Sequence, residues 1–125
     1  YTHKWTSKKL AQEVKDFIKD ELFVAVDDNC VGNGAGKGKV VGFIASNIEP
    51  DNPIKAYIKE LWIDDGFQGQ GIGKALVKYV ELMYKKKGVK IIRLVTLRNA
   101  ASYGFYENLN YNESKNQVFM ERKLR

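Results

Sequence analysis

The stretch KAYIKELWIDDGFQGQGIGKALVKYVELMYKKKG, residues 55–88, carries a strand pattern, a glycine turn and a helix pattern in succession. Residues 55–63 (KAYIKELWI) predict a strand that is bounded by turn residues. Apolar side chains then recur on one face over residues 72–86, which predicts a helix: Leu76, Tyr79, Val80 and Met83. Gly88 is expected to end this helix. The glycine turn between the two elements therefore leads from the end of a strand into a helix N-terminus.

The start of this helix is suited to hold a phosphate group. The first N–H groups of a helix have no partner within it, and the helix dipole places partial positive charge at the same end. Glycines let a phosphate approach the backbone without meeting a Cβ, and Lys74 adds a charge in the first turn. The Rossmann fingerprint does not fit, because the glycines fall at positions 69, 71 and 73. A glycine turn with a purely structural role is the alternative.

The remaining chain alternates between helical and extended patterns. Apolar periodicity predicts helices over residues 7–19 and 101–109, and strands over residues 21–27, 39–47, 89–97 and 117–124. Residues 28–39 hold four glycines and are expected to form the turn of a long-looped hairpin. Helices interleaved with strands indicate an α/β fold with one mixed sheet covered on both faces. No repeat or linker interrupts the pattern, so we expect one domain over residues 1–125.

Composition excludes several classes of protein. No apolar run approaches the roughly 20 residues of a membrane helix, so no membrane association is expected. A single cysteine, Cys30, and a single histidine, His3, exclude a disulfide framework and a zinc site built from several such ligands, and we expect no metal. With one thiol and no visible secretory signal, the expected compartment is the cytoplasm. The glycines at 32–38 lack the Walker spacing and are expected to form a hairpin tip.

Charge is distributed unevenly along the chain. The net charge is +6, but residues 1–73 carry 9 basic and 11 acidic side chains, whereas residues 74–125 carry 12 basic and 4 acidic ones. Such an excess attracts polyanions, including a phosphorylated cofactor. A solvated lysine-rich face is the alternative interpretation. The lysines at 85–87 end a helix, where cations are favoured, and no aromatic-basic motif accompanies them, so no nucleic-acid partner is expected.

Two segments resemble one protein family. Gln68-x-x-Gly71-x-Gly73 matches the Gln/Arg-x-x-Gly-x-Gly/Ala signature of the GCN5-related N-acetyltransferase (GNAT) family. Residues 99–109 (NAASYGFYENL) resemble a second segment of that family, Asn-x-x-small-x-x-Phe-Tyr-x-x-Leu. The resemblance runs from about residue 39 to the C-terminus. It implies a mostly antiparallel mixed sheet with helices on both faces, in which two central parallel strands, here residues 55–63 and 89–97, splay apart.

The resemblance also implies acetyl-CoA as co-substrate in the gap between these strands. Main-chain groups of three residues of the third predicted strand would bond the pantetheine arm: Leu61, Trp62 and Ile63. Amides of the glycine turn would hold the pyrophosphate: Gln68, Gly69, Gln70, Gly71, Ile72, Gly73 and Lys74. Asn99 is expected to end the strand at 89–97 and to bond the pantetheine or the adjoining backbone. Its alternative role is the N-cap of the helix at 101–109.

Two residues are candidates for proton transfer. Tyr106 occupies the family's position for a hydroxyl near the cofactor sulfur, where a phenol can protonate the leaving thiolate. A core tyrosine is its alternative role, and Tyr103 is expected to pack. Lys59 stands where many relatives carry a catalytic glutamate, which leaves Glu60 as the carboxylate of that strand. Strand alternation turns Glu60 to the opposite face from residue 59, unless a β-bulge reverses it. A structural carboxylate, or a base from a loop such as Asp64, is the alternative.

The resemblance implies an N-acetyltransferase whose acceptor is a primary amine of a small molecule or peptide. The amine would attack acetyl-CoA directly in a ternary complex, and a backbone N–H near Trp62 or Ile63 would stabilise the oxyanion. A non-catalytic acyl-CoA-binding sensor domain is the alternative, and a homodimer stays open. Asn110 replaces the usual glycine after the short helix and should keep the left-handed conformation. The family's usual first strand is expected to be lacking; the alternative is that the helix at 7–19 corresponds to the family's second helix.

Overall fold

In the computed structural model, residues 2–3, 21–31 and 37–125 are described. They divide into two compact units, Tyr1–Val95 and Thr96–Arg125. We call these the first and the second unit. The predicted helix at residues 7–19 and the tip of the glycine-rich hairpin at 32–36 lie outside the described residues. The expectations of one domain over 1–125 and of a lacking first strand remain predictions.

The first unit is built on a five-stranded sheet in the order β1-β2-β3-β4-β5. The strands are β1 (Thr2–His3), β2 (Glu21–Val31), β3 (Lys37–Ile48), β4 (Lys55–Ile63) and β5 (Ile91–Arg93). Neighbouring strands are antiparallel from β1 to β4, and β4 pairs with β5 in parallel. The α/β fold with a mostly antiparallel mixed sheet is therefore confirmed. The hairpin of β2 and β3 is longer than predicted, since Val31 still pairs with Lys37.

Helix α1 (Ile72–Lys86) has the bounds that its periodicity predicts. It buries one stripe against the sheet, and the buried residues are Ile72, Leu76, Val77, Val80 and Tyr84. The hydroxyl groups of Tyr84 and Ser46 on β3 lie 2.7 Å apart in a buried hydrogen bond, and Tyr79 meets Phe23 edge to face at 5.0 Å. These contacts fix the helix on one face of the sheet, so its N-terminus has a fixed position beside the end of β4.

A β-bulge divides β4 at Lys59. Ser46 of β3 pairs with Ile58, but the next residue, Ala45, pairs with Glu60, so Lys59 is the extra residue. Side chains before and after the bulge consequently alternate in opposite phase. Ile63 points to the α1 face, where a Cβ on Gly42 would come within 2.8 Å of its Cδ1 atom. Glu60 and Trp62 point to the other face.

Strands β4 and β5 pair over only three residues each, Lys55–Tyr57 with Ile91–Arg93. Strand β4 continues to Ile63. Beyond Tyr57, no strand in the described part of the chain pairs with the edge of β4 that faces β5. The predicted splay of two central parallel strands is confirmed. The predicted strand over 89–97 is too long for the same reason, because the parting strands offer no ladder partner. Val95 and Leu97 are accordingly exposed.

The second unit contains helix α2 (Ala101–Asn108). Tyr106 is its buried residue, and its ring contacts those of Phe105 and Tyr111 at centroid distances of 5.0 and 5.5 Å. Asn110 adopts φ 69° after the helix, which confirms the left-handed stop predicted there. The predicted strand over 117–124 is wrong, since residues 117–125 have no regular structure and Val118, Phe119 and Met120 are exposed. A strand needs a pairing partner, which local sequence does not specify.

Candidate functional site

The glycine turn leads from β4 into α1 and is anchored at its first residue. The amide of Asp64 donates to the carbonyl of Val41 at 2.8 Å, and the carboxylate of Asp64 pairs with Lys39 at 3.0 Å. A 3-10 turn at Asp65–Phe67 follows. The side chain of Gln68 then donates to the carbonyl of Ile63 and to the carboxylate of Asp65, both at 3.3 Å. The turn is thereby held against the ends of β3 and β4.

Two glycines of the turn leave open space above the backbone. Gly69 and Gly71 have φ angles of +79° and +82°, in the left-handed region that other residues rarely adopt. A Cβ built on either would meet no heavy atom within 4 Å. Their conformation therefore requires glycine although packing does not. An anion could approach the main chain closely here.

The N-terminus of α1 lacks the usual compensation of its charge. Gly71 is the N-cap and supplies no side-chain hydrogen bond, and the first turn holds no acidic residue. Lys74 stands there instead and is exposed. A cation at the positive end of the helix dipole destabilises the helix by about 0.3–1 kcal/mol, unless a bound anion neutralises both charges. The buried side chain of Ile72, 1% exposed, leaves only its main chain available to a ligand.

These features fit the pyrophosphate and pantetheine of CoA. Exposed Gln70 and half-buried Gly73 complete the turn, whose first helical N–H groups have no intrahelical acceptor. The β5-facing edge of β4 beyond Tyr57 offers main-chain groups at Leu61, Trp62 and Ile63 to an extended ligand. The structure thus places the predicted residues of the first unit, from Leu61 to Lys74, on one strand–turn–helix segment.

The carboxylate candidate Glu60 is exposed on β4. The bulge at Lys59 turns it to the face away from α1, together with Trp62. The β-bulge that reverses the orientation of Glu60 is therefore present. Asp64, the loop alternative, is engaged by Lys39. The roles of Glu60 and of Asp64 remain predictions.

Asn99 is placed differently from what the sequence predicts. It does not end a strand, because β5 ends at Arg93 and Asn99 lies in a turn of the second unit. It also does not cap α2, whose N-cap is Ala100 without a side-chain hydrogen bond. The hydroxyls of Thr96 and Ser102, 2.6 Å apart, connect the turn to the helix instead. Asn99 itself is exposed, and its predicted bond to the pantetheine remains a prediction.

Tyr106 is 8% exposed in the second unit, and its ring position is fixed by two aromatic neighbours. The same unit contains a hydrogen-bond network that no sequence motif indicates. Tyr103 donates to one oxygen of Glu113 at 2.7 Å, and Arg98 donates to the other at 2.9 Å. The hydrogen bond from Tyr103, and next the one from Arg98, lower the pKa of Glu113. The same bond to Glu113 raises the pKa of Tyr103, which has more than a packing role.

The described residues show no group of three or more His, Cys, Asp or Glu side chains that could hold a metal ion. Among the same residues, no helix is both long and apolar enough to span a bilayer.

Sequence comparison identifies a family. A model described as the acetyltransferase (GNAT) family matches residues 1–111. An uncharacterized N-acetyltransferase of Methanocaldococcus jannaschii is 38% identical over 85 residues, which cover 62% of this chain and 37% of the relative. The ribosomal protein bS18-alanine N-acetyltransferase of Escherichia coli (strain K12) is 32% identical over 78 residues, covering 62% of this chain and 51% of the relative. The chain thus spans about a third to a half of the length of these relatives.

Solved structures share the fold. An aminoglycoside acetyltransferase from an uncultured soil metagenomic sample superposes with a TM-score of 0.67 at 23% identity, over 95% of this chain and 75% of that one. An aminoglycoside N-acetyltransferase in complex with CoA superposes with a TM-score of 0.63 at 16% identity, over 94% of this chain and 88% of that one.

Proposed function

The chain belongs to the acetyltransferase (GNAT) family, and from that premise we propose that it moves the acetyl group of acetyl-CoA to a primary amine of a small molecule or peptide. One observation carries the proposal: an uncapped helix N-terminus with two open left-handed glycines follows a strand that has parted from its parallel neighbour. Names of relatives support an amine acceptor, since they are N-acetyltransferases of a protein alanine or of aminoglycosides. For the compartment we propose the cytoplasm.

Acetyl-CoA, when bound, supplies a thioester whose carbonyl carbon is the electrophile. The N–H groups from Gln68 to Lys74 would bind the pyrophosphate, and the main chain of Leu61, Trp62 and Ile63 would bond the pantetheine arm as an added strand does. A preorganised N–H near Trp62 or Ile63 would stabilise the negative charge that develops on the carbonyl oxygen. No metal takes part in this scheme.

Direct attack within a ternary complex forms a C–N bond and breaks a C–S bond. The nitrogen must lose a proton, and Glu60, exposed on β4, is the proposed base. The departing sulfur must gain a proton, and we assign this role to Tyr106 on the strength of the NAASYGFYENL segment. Both assignments follow from residue chemistry and family resemblance.

The replacement of the usual glutamate by Lys59 favours a second candidate, an acyl-CoA-binding sensor without turnover. One measurement tests both candidates together, and a second separates them. Saturating CoA should raise the melting temperature in both cases, because a ligand that binds only the native state stabilises it. A screen of acetyl-CoA consumption over polyamines, aminoglycosides, amino acids and peptide N-termini should give turnover only for the enzyme. No stabilisation by CoA would overturn both.

A further inference from the structure

The sheet face away from α1 carries an aromatic pair at the end of β4. Phe43 of β3 and Trp62 of β4 are register partners, and their rings stack at a centroid distance of 5.9 Å with an interplanar angle of 29°. Trp62 remains 44% exposed. A flat apolar surface, braced from one side by Phe43, is thus presented outward in the first unit.

A carboxylate shares this face. Glu60 lies two residues before Trp62, and after the bulge both point away from α1. Their Cα atoms are separated by about 7 Å along the strand. Residues 40–65 contain five acidic and two basic side chains in a chain whose net charge is +6. On this face Glu60 offers a carboxylate to a cation, and the indole of Trp62 lies within reach of the same ligand.

Asn47 supplies a third group on this face. It lies two residues after Ala45, the register partner of Glu60, and so points to the same side of β3. Its Oδ1 atom is buried and has no hydrogen-bond partner among the described residues. A buried oxygen without a donor costs about 1–3 kcal/mol in the folded protein. A ligand N–H donor would satisfy it once the half-buried side chain of Asn47 turns its amide oxygen toward the ligand.

We propose that Asn47, Glu60 and the Phe43–Trp62 stack form the acceptor site and select a cationic primary amine joined by a short chain to a flat apolar group. The inference rests on the proposed function and names its substrate class. The ammonium group would pair with Glu60 and donate to Asn47 Oδ1, while the flat group would lie on the indole of Trp62. The aromatic face of Trp62 would stack on the flat group, and the carboxylate of Glu60 would form a charge-assisted hydrogen bond with the ammonium group.

The test is calorimetric binding to the CoA-loaded protein, with 2-phenylethylamine, hexylamine and 2-phenylethanol as probes. We expect 2-phenylethylamine to bind at least about fivefold more tightly than hexylamine, and the uncharged alcohol to bind more weakly than either amine. Trp62→Leu should remove the preference for the aromatic amine and leave the affinity for hexylamine unchanged. Glu60→Gln should lower the affinity for both amines by about tenfold. Leu82→Ala, at a 54% exposed position on α1, is the matched control and should leave the affinities for both amines unchanged.

Asn47→Leu separates a ligand-binding role from a structural one. It should lower the affinity for both amines and keep or raise the melting temperature, because the unsatisfied oxygen is removed. A fall in melting temperature with unchanged amine affinity would overturn the assignment of Asn47. Equal binding of the two amines, or equal effects of Trp62→Leu and Leu82→Ala, would overturn the acceptor site. In either case, CoA binding by the unmodified protein would leave the proposed function standing, whereas its absence would remove the proposed function.

Discussion

The carboxylate of Glu60 and the indole of Trp62 share a sheet face because β4 contains one extra residue, Lys59. Without the bulge, alternation would direct both side chains toward α1 and would turn Leu61 and Ile63 away from it. An apolar face would then be exposed and a carboxylate would be buried under the helix. The bulge thus gives each side chain the environment that its chemistry requires.

Tyr106 can be tested by removing its hydroxyl alone. Tyr106→Phe keeps the ring contacts with Phe105 and Tyr111 and deletes the proposed proton donor. We expect kcat to fall by about 100-fold, the usual contribution of a positioned acid, with the Kd of CoA unchanged. Steady-state acetyl transfer and calorimetry measure the two quantities.

Tyr103→Phe is the control for this experiment, because it removes another tyrosine hydroxyl of α2, the one bound to Glu113. It should leave kcat unchanged. If the two variants were equally active, Tyr106 would be a core tyrosine only.

Glu113 predicts an acid-sensitive contribution to stability. Hydrogen bonds from Tyr103 and Arg98 lower its folded-state pKa, so its contribution is complete above the pKa of an unstructured glutamate and is lost as pH falls through the lower folded value. The carboxyl titration followed by NMR should therefore show a midpoint below that of an unstructured glutamate. Tyr103→Phe should move the midpoint upward, and an unchanged midpoint would contradict the network.

At the scale of elements, β4 and α1 have the bounds that the sequence predicts, whereas β5 and the last predicted strand do not. The first two depend on local signals, namely the turn after Ile63 and the apolar stripe from Ile72 to Tyr84. The extent of β5 depends on where β4 leaves it, which is a property of pairing between distant segments. The Phe43–Trp62 stack and the position of the bulge depend on register for the same reason. Sequence alone therefore predicts the strand, the glycine turn and the helix, and it names Glu60, but it misses the Phe43–Trp62 pair of the proposed acceptor face.

The two ends of α1 offer a matched test of the glycine turn. Gly71 and Gly88 have φ angles of +82° and +88°, and neither has a heavy atom within 4 Å of a built Cβ. Substitution by Ala should cost about 1–2 kcal/mol of unfolding free energy at either position, because both are left-handed. Gly71→Ala should in addition lower the affinity for CoA by about 10-fold or more, and a 10-fold loss is equivalent to about 1.4 kcal/mol of binding free energy.

Gly88→Ala should leave CoA affinity intact. Chemical denaturation and calorimetry on both variants give the comparison. Equal CoA affinities of the two variants would show that the main chain at Gly71 does not approach the phosphates.

At the scale of the molecule, net charge changes sign along the chain, from an acidic excess over residues 1–73 to a basic excess over 74–125. The proposed ligand is polyanionic, so its affinity should fall by about threefold or more between 0.05 and 0.5 M salt. Lys74→Gln should flatten this dependence, whereas Lys85→Gln, at the far end of α1, should preserve it. An equal salt dependence of CoA affinity in the unmodified protein and in both variants would exclude Lys74 from the phosphate site.

The parting of β4 from β5 has a cost in the absence of ligand. Main-chain donors and acceptors of β4 beyond Tyr57 have no strand partner in the described part of the chain on the β5 side. Such groups are a template for intermolecular β-pairing, and consequently for aggregation. The pantetheine arm would occupy them, so light scattering of the warmed protein should rise more slowly with CoA present than with an equal concentration of adenosine 3′,5′-bisphosphate. The concentration of coenzyme would then determine the rate at which this protein aggregates, as well as the rate of the proposed acetyl transfer.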